Sequence, residues 1–402
     1  MEEATSDHGE KKAAPDVFGI SELMPALLHP HPAPIPDRRV NLLIPCIASS
    51  ATFGGVATAL RFFESLLPHF KFARIVVSHE KTSEFEPEKW PGWSLEDEHP
   101  EGRSIAFLGD HTTSLSVMPN DLFIATFWPT ALYIREALVR QARMWPSISH
   151  RFLYLIQDYE PGFYAMSARQ TLAQSTYDNP EGTIAVFNTG QLTKYFHTSK
   201  LHFPVSYIFE PAMEPELQKQ HTQLRNRTKE RIILVYARPT MQRNGFDLLV
   251  RGLKRWAESF PQAAQWRVLS AGDSHSDIPL GGGVTLHSLG KLSMQEYADV
   301  LSKSWIGFLF EFTAHRGYVC LEMAQFGAWV IINSFQQWDT SSLSLNIVTL
   351  KDLYPTSIAS TLSEYCLKYT DGATSATDDH RPLFRVKGPE FPFVGELVEQ
   401  WT

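Results

Sequence analysis

The sequence predicts an α/β protein made of two βα domains in tandem, with a ligand cleft between the carboxyl ends of their sheets. Three observations predict it. Apolar runs of strand length alternate with amphipathic segments of helix length along most of the chain. Those runs are apolar throughout, as strands covered by helices on both faces require. One polar stretch, EPELQKQHTQLRNRTKER at 214–231, divides the series in two. A chain of 402 residues exceeds one ordinary core, and about two domains of ~150–200 residues is the expectation.

Residues 1–38 read as a tail or linker, rich in Pro, His and Glu and ending in HPHPAPIPDRR. A folded segment is not expected before Arg39, apart from one short docking helix at 17–28. The first domain, 39–213, carries strands at 40–47, 72–78, 122–127, 152–156, 183–187 and 206–209, with helices at 54–67, 130–144 and 190–196. Residues 214–231 are polar and helical in period, and form the interdomain connection. The second domain, 232–385, carries strands at 232–236, 267–271, 284–287, 305–310 and 329–333, with helices at about 245–258, 293–303 and 318–327. DGATSATDDH at 371–380 reads as a surface loop, and 386–402 as a segment returning to the first domain through a short helix at 392–401.

Composition excludes several classes. Hydrophobic residues are 43% and charged residues 20% of the chain, as in a soluble globular protein. No run reaches the ~18 apolar residues of a membrane span, and MEEATSDHGEKK has no signal-peptide core. The three cysteines, Cys46, Cys320 and Cys366, show no CxxC spacing; zinc and a disulfide framework are not expected, and a cytoplasmic location is. A formal net charge of −8 argues against a nucleic-acid partner. QLRNRTKER gathers Arg225, Arg227, Lys229 and Arg231, enough for weak, salt-sensitive attachment to an anionic membrane face at about 1 kcal/mol per charge. A solvated interdomain helix is the competing reading, so the chain is expected to associate peripherally at most.

Candidate site residues cluster where strands end. No G-x-G-x-x-G is present. The first βα turn instead offers Gly54 and Gly55 at a helix start, where backbone N–H groups can approach an anion or a sugar; a tight turn explains the pair equally. In YARPTMQRNGFDLLV, Arg238 and Arg243 occupy the turn after the second domain's first strand. Arginine suits phosphate through its permanent charge and planar fork. Cations are favoured at helix C-termini, so a pair before a helix gains most if an anion sits there. Lys291, after Gly290 in LGKLSMQEYADVL, repeats the arrangement. Glu322 can accept from a ribose hydroxyl or act as a first-turn acid. In QDYEPGFY, Gln157 and Asp158 end a buried strand and face the cleft. Asp158 can take a proton or bind an acceptor hydroxyl, while Tyr159, Phe163 and Tyr164 offer rings for sugars to stack on; loop capping is the alternative for the acids. EDE at 96–98 reads as solvated loop, and without a D-x-D after a strand no metal is expected.

YLIQDYEPGFY, FNTGQL, YARP, LGKLS with YADVL, and LEMAQFG resemble WsaF-type rhamnosyltransferases, retaining glycosyltransferases of GT-B fold with two Rossmann-like domains facing each other across a cleft. The resemblance spans 40–369, and QDYEPGFY is its most specific motif. It implies a dTDP-β-L-rhamnose donor, a saccharide acceptor carried on a lipid at the inner membrane face, no cofactor, and partner glycosyltransferase domains. Arg238 and Lys291 would hold the donor diphosphate, with three cations in place of a metal. Arg243 stands where the broader family has lysine. Glu322 would bind the nucleoside sugar, and Gly54, Gly55, Gly272, Ser288 and Leu289 would complete the donor site. Gln157, Asp158, Tyr159, Glu160, Phe163 and Tyr164 would meet the acceptor. The first glutamate of the paired-glutamate motif is replaced by Ala314, leaving His315, Arg316 and Tyr318 as candidates to contact the transferred sugar. A UDP- or GDP-sugar donor, or a non-catalytic glycan-binding module, are the rival readings.

Overall fold

The structure is a computed structural model that describes residues 27–30, 37–47, 54–80, 83, 85–95, 102–108, 114–146, 151–315, 317–336, 340–379, 381–385 and 388–402. The first unit contains β1 (Leu27–Pro30), β2 (Arg39–Ile44), α1 (Gly55–Leu66), β3 (Phe72–Val77), β4 (Ser94–Leu95), β5 (Arg103–Phe107), β6 (Ser114–Val117) and β7 (Asp121–Ala125). It continues with α2 (Trp128–Met144), β8 (Phe152–Ile156), α3 (Ala168–Ser175), β9 (Thr183–Asn188), α4 (Gly190–Thr198) and β10 (Val205–Phe209). Among the described residues its main sheet runs β10-β9-β8-β7-β2-β3-β5-β4, all parallel. β2, β3, β7, β8 and β9 are buried along their whole length, as their unbroken apolar runs require. Alternate residues serve opposite faces: Val40, Leu42 and Ile44 pack with Phe62 and Phe63 of α1, while Leu43 packs with Ile134 of α2 and Leu192 of α4.

A helix α5 (Pro215–Leu224), capped by the Glu214 side chain on the Leu217 N–H at 3.0 Å, leads to the second unit. There follow β11 (Glu230–Ala237), α6 (Phe246–Ser259), β12 (Arg267–Gly272), β13 (Ile278–Gly281), β14 (Val284–Ser288), α7 (Met294–Lys303), β15 (Ser304–Phe308) and α8 (Tyr318–Gln325). Then come β16 (Trp329–Asn333), β17 (Ile347–Leu350), α9 (Pro355–Leu367) and α10 (Val394–Trp401). The sheet order is β13-β14-β12-β11-β15-β16-β17, parallel except for β13. Ile233 and Val235 pack towards α6 and α9; Ile232 and Leu234 pack towards α7 and α8. Val394, Leu397 and Trp401 of α10 join the first unit's core beside Phe62.

The structure corrects two expectations. One described segment before Arg39 does fold: β1, Leu27–Pro30, pairs in parallel with β6, and Leu28 is buried. The expected helix at 17–28 is strand at its end, and its earlier residues lie outside the described ones, as does EDE at 96–98. The basic cluster at 225–231 presents fewer than its four cations, although Arg225 is exposed. Lys229 is buried, its ammonium donating to the carbonyls of Leu301 at 3.2 Å and Phe326 at 2.6 Å, where α7 and α8 end. Arg227 pairs with Asp299, and Arg231 lies 5.0 Å from the Tyr369 ring centre.

Candidate active site

Both sheets start at a central strand and grow in opposite directions from it, β2 in the first and β11 in the second. The crevice at such a reversal, beyond the carboxyl ends of the strands, is where open α/β sheets bind ligands. In the second sheet it lies between β11 and β15, and three turns that follow β11, β12 and β14 are fastened together there. The Asp273 N–H donates to the Ala237 carbonyl at 2.8 Å, and the Gly272 N–H to that of Gly290 at 3.1 Å. Gly272 has φ 136°, and a Cβ there would fall 2.1 Å from the Ala237 oxygen, so only glycine fits. The result sets Arg238 and Lys291 on adjoining turns. Arg238 lies 3.7 Å from the Asp273 carboxylate, and Lys291 is exposed ahead of α7, whose N-terminus Ser293 and Glu296 cap reciprocally.

Arg243 is held differently. Its carbonyl accepts from the Phe312 N–H at 2.8 Å, and the next residue, Asn244, donates to the Phe310 carbonyl at 3.2 Å. Gly245 closes the turn at φ 52°, against the Phe312 ring. The guanidinium so placed reaches across the cleft and stacks 4.1 Å from the centre of the Phe163 ring.

The first unit meets it with Asp158, after β8. The Oδ1 of Asp158 accepts from the Tyr159 N–H at 2.7 Å, from the Thr313 hydroxyl and from the His315 N–H at 3.2 Å. Burial raises its carboxyl to about 6, against the opposing pull of these donors and of Arg243. His315 accepts the Gly317 N–H on Nδ1 at 3.1 Å, which in the neutral ring leaves the proton on Nε2. Gln157 donates to the Gly55 carbonyl at 2.9 Å, and a Cβ on Gly55 would meet that amide at 3.2 Å, so the Gly54-Gly55 turn and the end of β8 abut.

Glu322 accepts from the Tyr297 hydroxyl at 2.8 Å, and burial raises it to about 7. Ser288 and Leu289 are tied into the fold: the Ser288 N–H donates to Asp277 at 3.0 Å, its hydroxyl accepts from His275 at 3.1 Å, and the Leu289 N–H donates to Ser270 at 2.8 Å. The Tyr318 hydroxyl accepts from Asn188 of the first unit at 2.9 Å. Arg316 lies outside the described residues.

Three of the residues expected to meet the acceptor are also held by their own unit. The Tyr159 ring lies between Tyr177, Tyr195 and Phe196, with centroids at 6.0, 5.2 and 5.7 Å. Tyr164 is engaged by the Trp128 indole N–H at 2.9 Å and by Arg169 over its ring. Glu160 accepts from the Trp128 N–H at 2.6 Å and the Tyr154 hydroxyl at 3.1 Å, fixing the start of α2; burial pushes it up to about 8. In turn, sequence reasoning missed Glu311. Only 9% exposed after β15, it is raised by burial to about 8, with Arg243, Asp158 and Arg238 close enough to act on it. An acid directly after the apolar run SWIGFLF was the available signal.

Residues 39–190 match the family model described as WsaF, N-terminal domain, and residues 231–363 the one described as WsaF, C-terminal domain. Over 213 residues the chain is 31% identical to O-antigen biosynthesis protein RfbC of Myxococcus xanthus, a match that covers 53% of this chain and 15% of that protein's length. Among solved structures, sucrose-phosphate synthase from Thermosynechococcus elongatus superposes with a TM-score of 0.57 over 90% of this chain and 98% of that one, at 14% identity. WaaG, a glycosyltransferase involved in lipopolysaccharide biosynthesis, gives 0.51 over 82% and 90%, at 11% identity. At such identities the two likenesses concern the fold, which is GT-B.

Proposed function

The chain belongs to the WsaF family of glycosyltransferases, and from that membership we propose that it moves L-rhamnose, or a related deoxyhexose, from a dTDP-sugar to a saccharide hydroxyl with retention. The acceptor is a bacterial surface polysaccharide growing on a lipid carrier at the cytoplasmic face of the membrane; the likeness to an O-antigen biosynthesis protein supports that setting. Among the described residues no helix is long and apolar enough to cross a membrane. With Lys229 buried and Arg227 and Arg231 engaged, the acceptor and neighbouring domains hold the chain there, not its own basic surface. The relative is far longer than this chain, which supports further domains beside it.

The observation that carries the reading is the facing of two chemistries across one cleft. Arg238, Arg243 and Lys291 crown the second sheet, while Asp158 and Gln157 end a strand of the first. Cations fixed at strand ends stabilise a leaving diphosphate as charge develops on it. In this reading Asp158 receives the acceptor hydroxyl and Glu322 holds the ribose.

The test is a donor screen of the purified chain with radiolabelled dTDP-L-rhamnose, UDP-glucose and GDP-mannose. Binding is read by competition, and product with oligosaccharide acceptors by linkage and anomeric analysis. Labelled product from dTDP-L-rhamnose with retained configuration is expected. Preference for a UDP- or GDP-sugar would reassign the donor, and binding without product from any donor would turn the reading to a glycan-binding module.

A further inference from the structure

Resting on that donor reading, we infer that Glu311 recognises a hydroxyl of the transferred sugar, supplying through space the carboxyl that Ala314 lacks in sequence. Ala314 is 2% exposed and packed into the first unit's apolar cluster with Leu43 and Phe123. An acid there would be buried among hydrocarbon and would not face the cleft. Glu311, three residues earlier, follows β15 at the reversal of the sheet, beside the turn that carries Arg238 and Arg243. Both arginines and Asp158 act electrostatically on its carboxyl. Asn244, on the turn that carries Arg243, donates to it as well, so the carboxyl stands close to the cations proposed for the diphosphate and to the acid proposed for the acceptor. In a transfer reaction the sugar lies between those two partners.

The carboxyl is not what fixes the strand end. Asn333 does that: its Oδ1 accepts the Glu311 N–H at 2.7 Å and its Nδ2 donates to the Glu311 carbonyl at 3.1 Å. The loop above it is held from the first unit by Asp158, through Thr313 and His315. That loop ends at Gly317, at φ 72°, where a Cβ would stand 3.3 Å from Glu311 Oε1. Any larger residue would press on the carboxyl. A buried acid beside a loop that glycine keeps open is costly to the fold, and such groups concentrate at functional sites.

The experiment compares the full chain with Glu311→Leu and Glu311→Gln by calorimetric titration with dTDP and with dTDP-L-rhamnose. Leucine removes the hydrogen-bonding atoms and suits a buried position; glutamine keeps the shape and part of the hydrogen bonding. Glu311→Leu is expected to melt no lower than the parent and to bind dTDP within about threefold of it. It should bind dTDP-L-rhamnose about tenfold or more weakly, with part of that loss recovered in Glu311→Gln. Parallel weakening of both ligands with a lower melting temperature would reduce Glu311 to a structural residue, and unchanged affinity for the sugar nucleotide would overturn the inference outright. If the parent binds a UDP or GDP pair instead, the same comparison is made with that pair. A parent that binds no nucleotide removes the donor reading, and this inference with it.

Discussion

Arg238 and Lys291 stand on turns whose close approach depends on Gly272, where a Cβ would fall 2.1 Å from the Ala237 oxygen. A charge-assisted contact to a diphosphate contributes about 1.5–3 kcal/mol, so Arg238→Ala and Lys291→Ala should each lower kcat/KM more than about tenfold with unchanged melting temperature. Near-normal turnover in either variant would remove it from the diphosphate site. Arg238→Lys should recover little, because an ammonium cannot reproduce the planar fork. With cations in that place, activity is expected to survive EDTA; loss restored by magnesium or manganese would show a metal at work. These cations were legible in the sequence because each falls in the turn after a strand, Arg238 immediately after β11 and Lys291 three residues after β14, where the chain emerges at the cleft. Glu311 follows its strand too, but sits inside FLFEFTA, where an acid is easily passed over. The surroundings of Tyr159 were not legible, for another reason. The rings that enclose it, Tyr177, Tyr195 and Phe196, come from later in the chain, and only the fold brings them there.

At the scale of elements, the central strands were read from sequence, with β10 and β14 beside them, while several strands towards the other margins of the sheets escaped. β5 opens on an exposed arginine, and β13 is a four-residue antiparallel edge running into Gly281, Gly282 and Gly283. Neither has the length or the unbroken apolar run that marks a central strand. α9 was missed because serine and threonine interrupt its apolar period, yet it packs closely on α6. Gly252 of α6 faces it: an added Cβ would lie 2.4, 3.0 and 3.1 Å from Ile358 Cγ2, Cβ and Cδ1. Two effects compete in Gly252→Ala. Helix propensity favours alanine by about 1 kcal/mol. Overpacking costs about 1–3 kcal/mol, and rotating Ile358 leaves its Cβ in the way. The variant is expected to melt below the parent, and the same Gly252→Ala change should cost less in an Ile358→Ala background, itself destabilised by the loss of a buried side chain, than in the parent. A melting temperature above the parent would mean that the two helices separate freely.

Across the whole molecule, the tandem alternation of strands and helices was enough to give the fold class, but not how the halves clasp. Asp158 with Thr313 and His315, Asn188 with Tyr318, and Arg243 over Phe163 all join residues far apart in sequence. Asp158 of this clasp is one of four acids that burial raises, and their protons tie stability to pH. Burial raises Asp158 from 3.8 to about 6, Glu322 from 4.5 to about 7, and Glu160 and Glu311 from 4.5 to about 8. Each folded value lies above the unfolded one, so between them the folded chain holds more protons. The stability these groups contribute is complete below about pH 4 and is lost as pH rises through 6 to 8. Lys229 acts oppositely: burial lowers it from 10.5 to about 7, so its effect favours folding as pH rises from 7 to 10.5. His221, also lowered by burial, opposes the acids below its usual 6.5, as one group against four. The window from pH 5 to 7 therefore belongs mainly to the acids. The ligand-free chain is expected to melt at a lower temperature at pH 7 than at pH 5, and Glu311→Leu should flatten that slope because it removes one of the four. Thermal unfolding by circular dichroism across this range decides it, and a midpoint that rises from pH 5 to 7 would show that these carboxyls ionise in the fold as readily as in water.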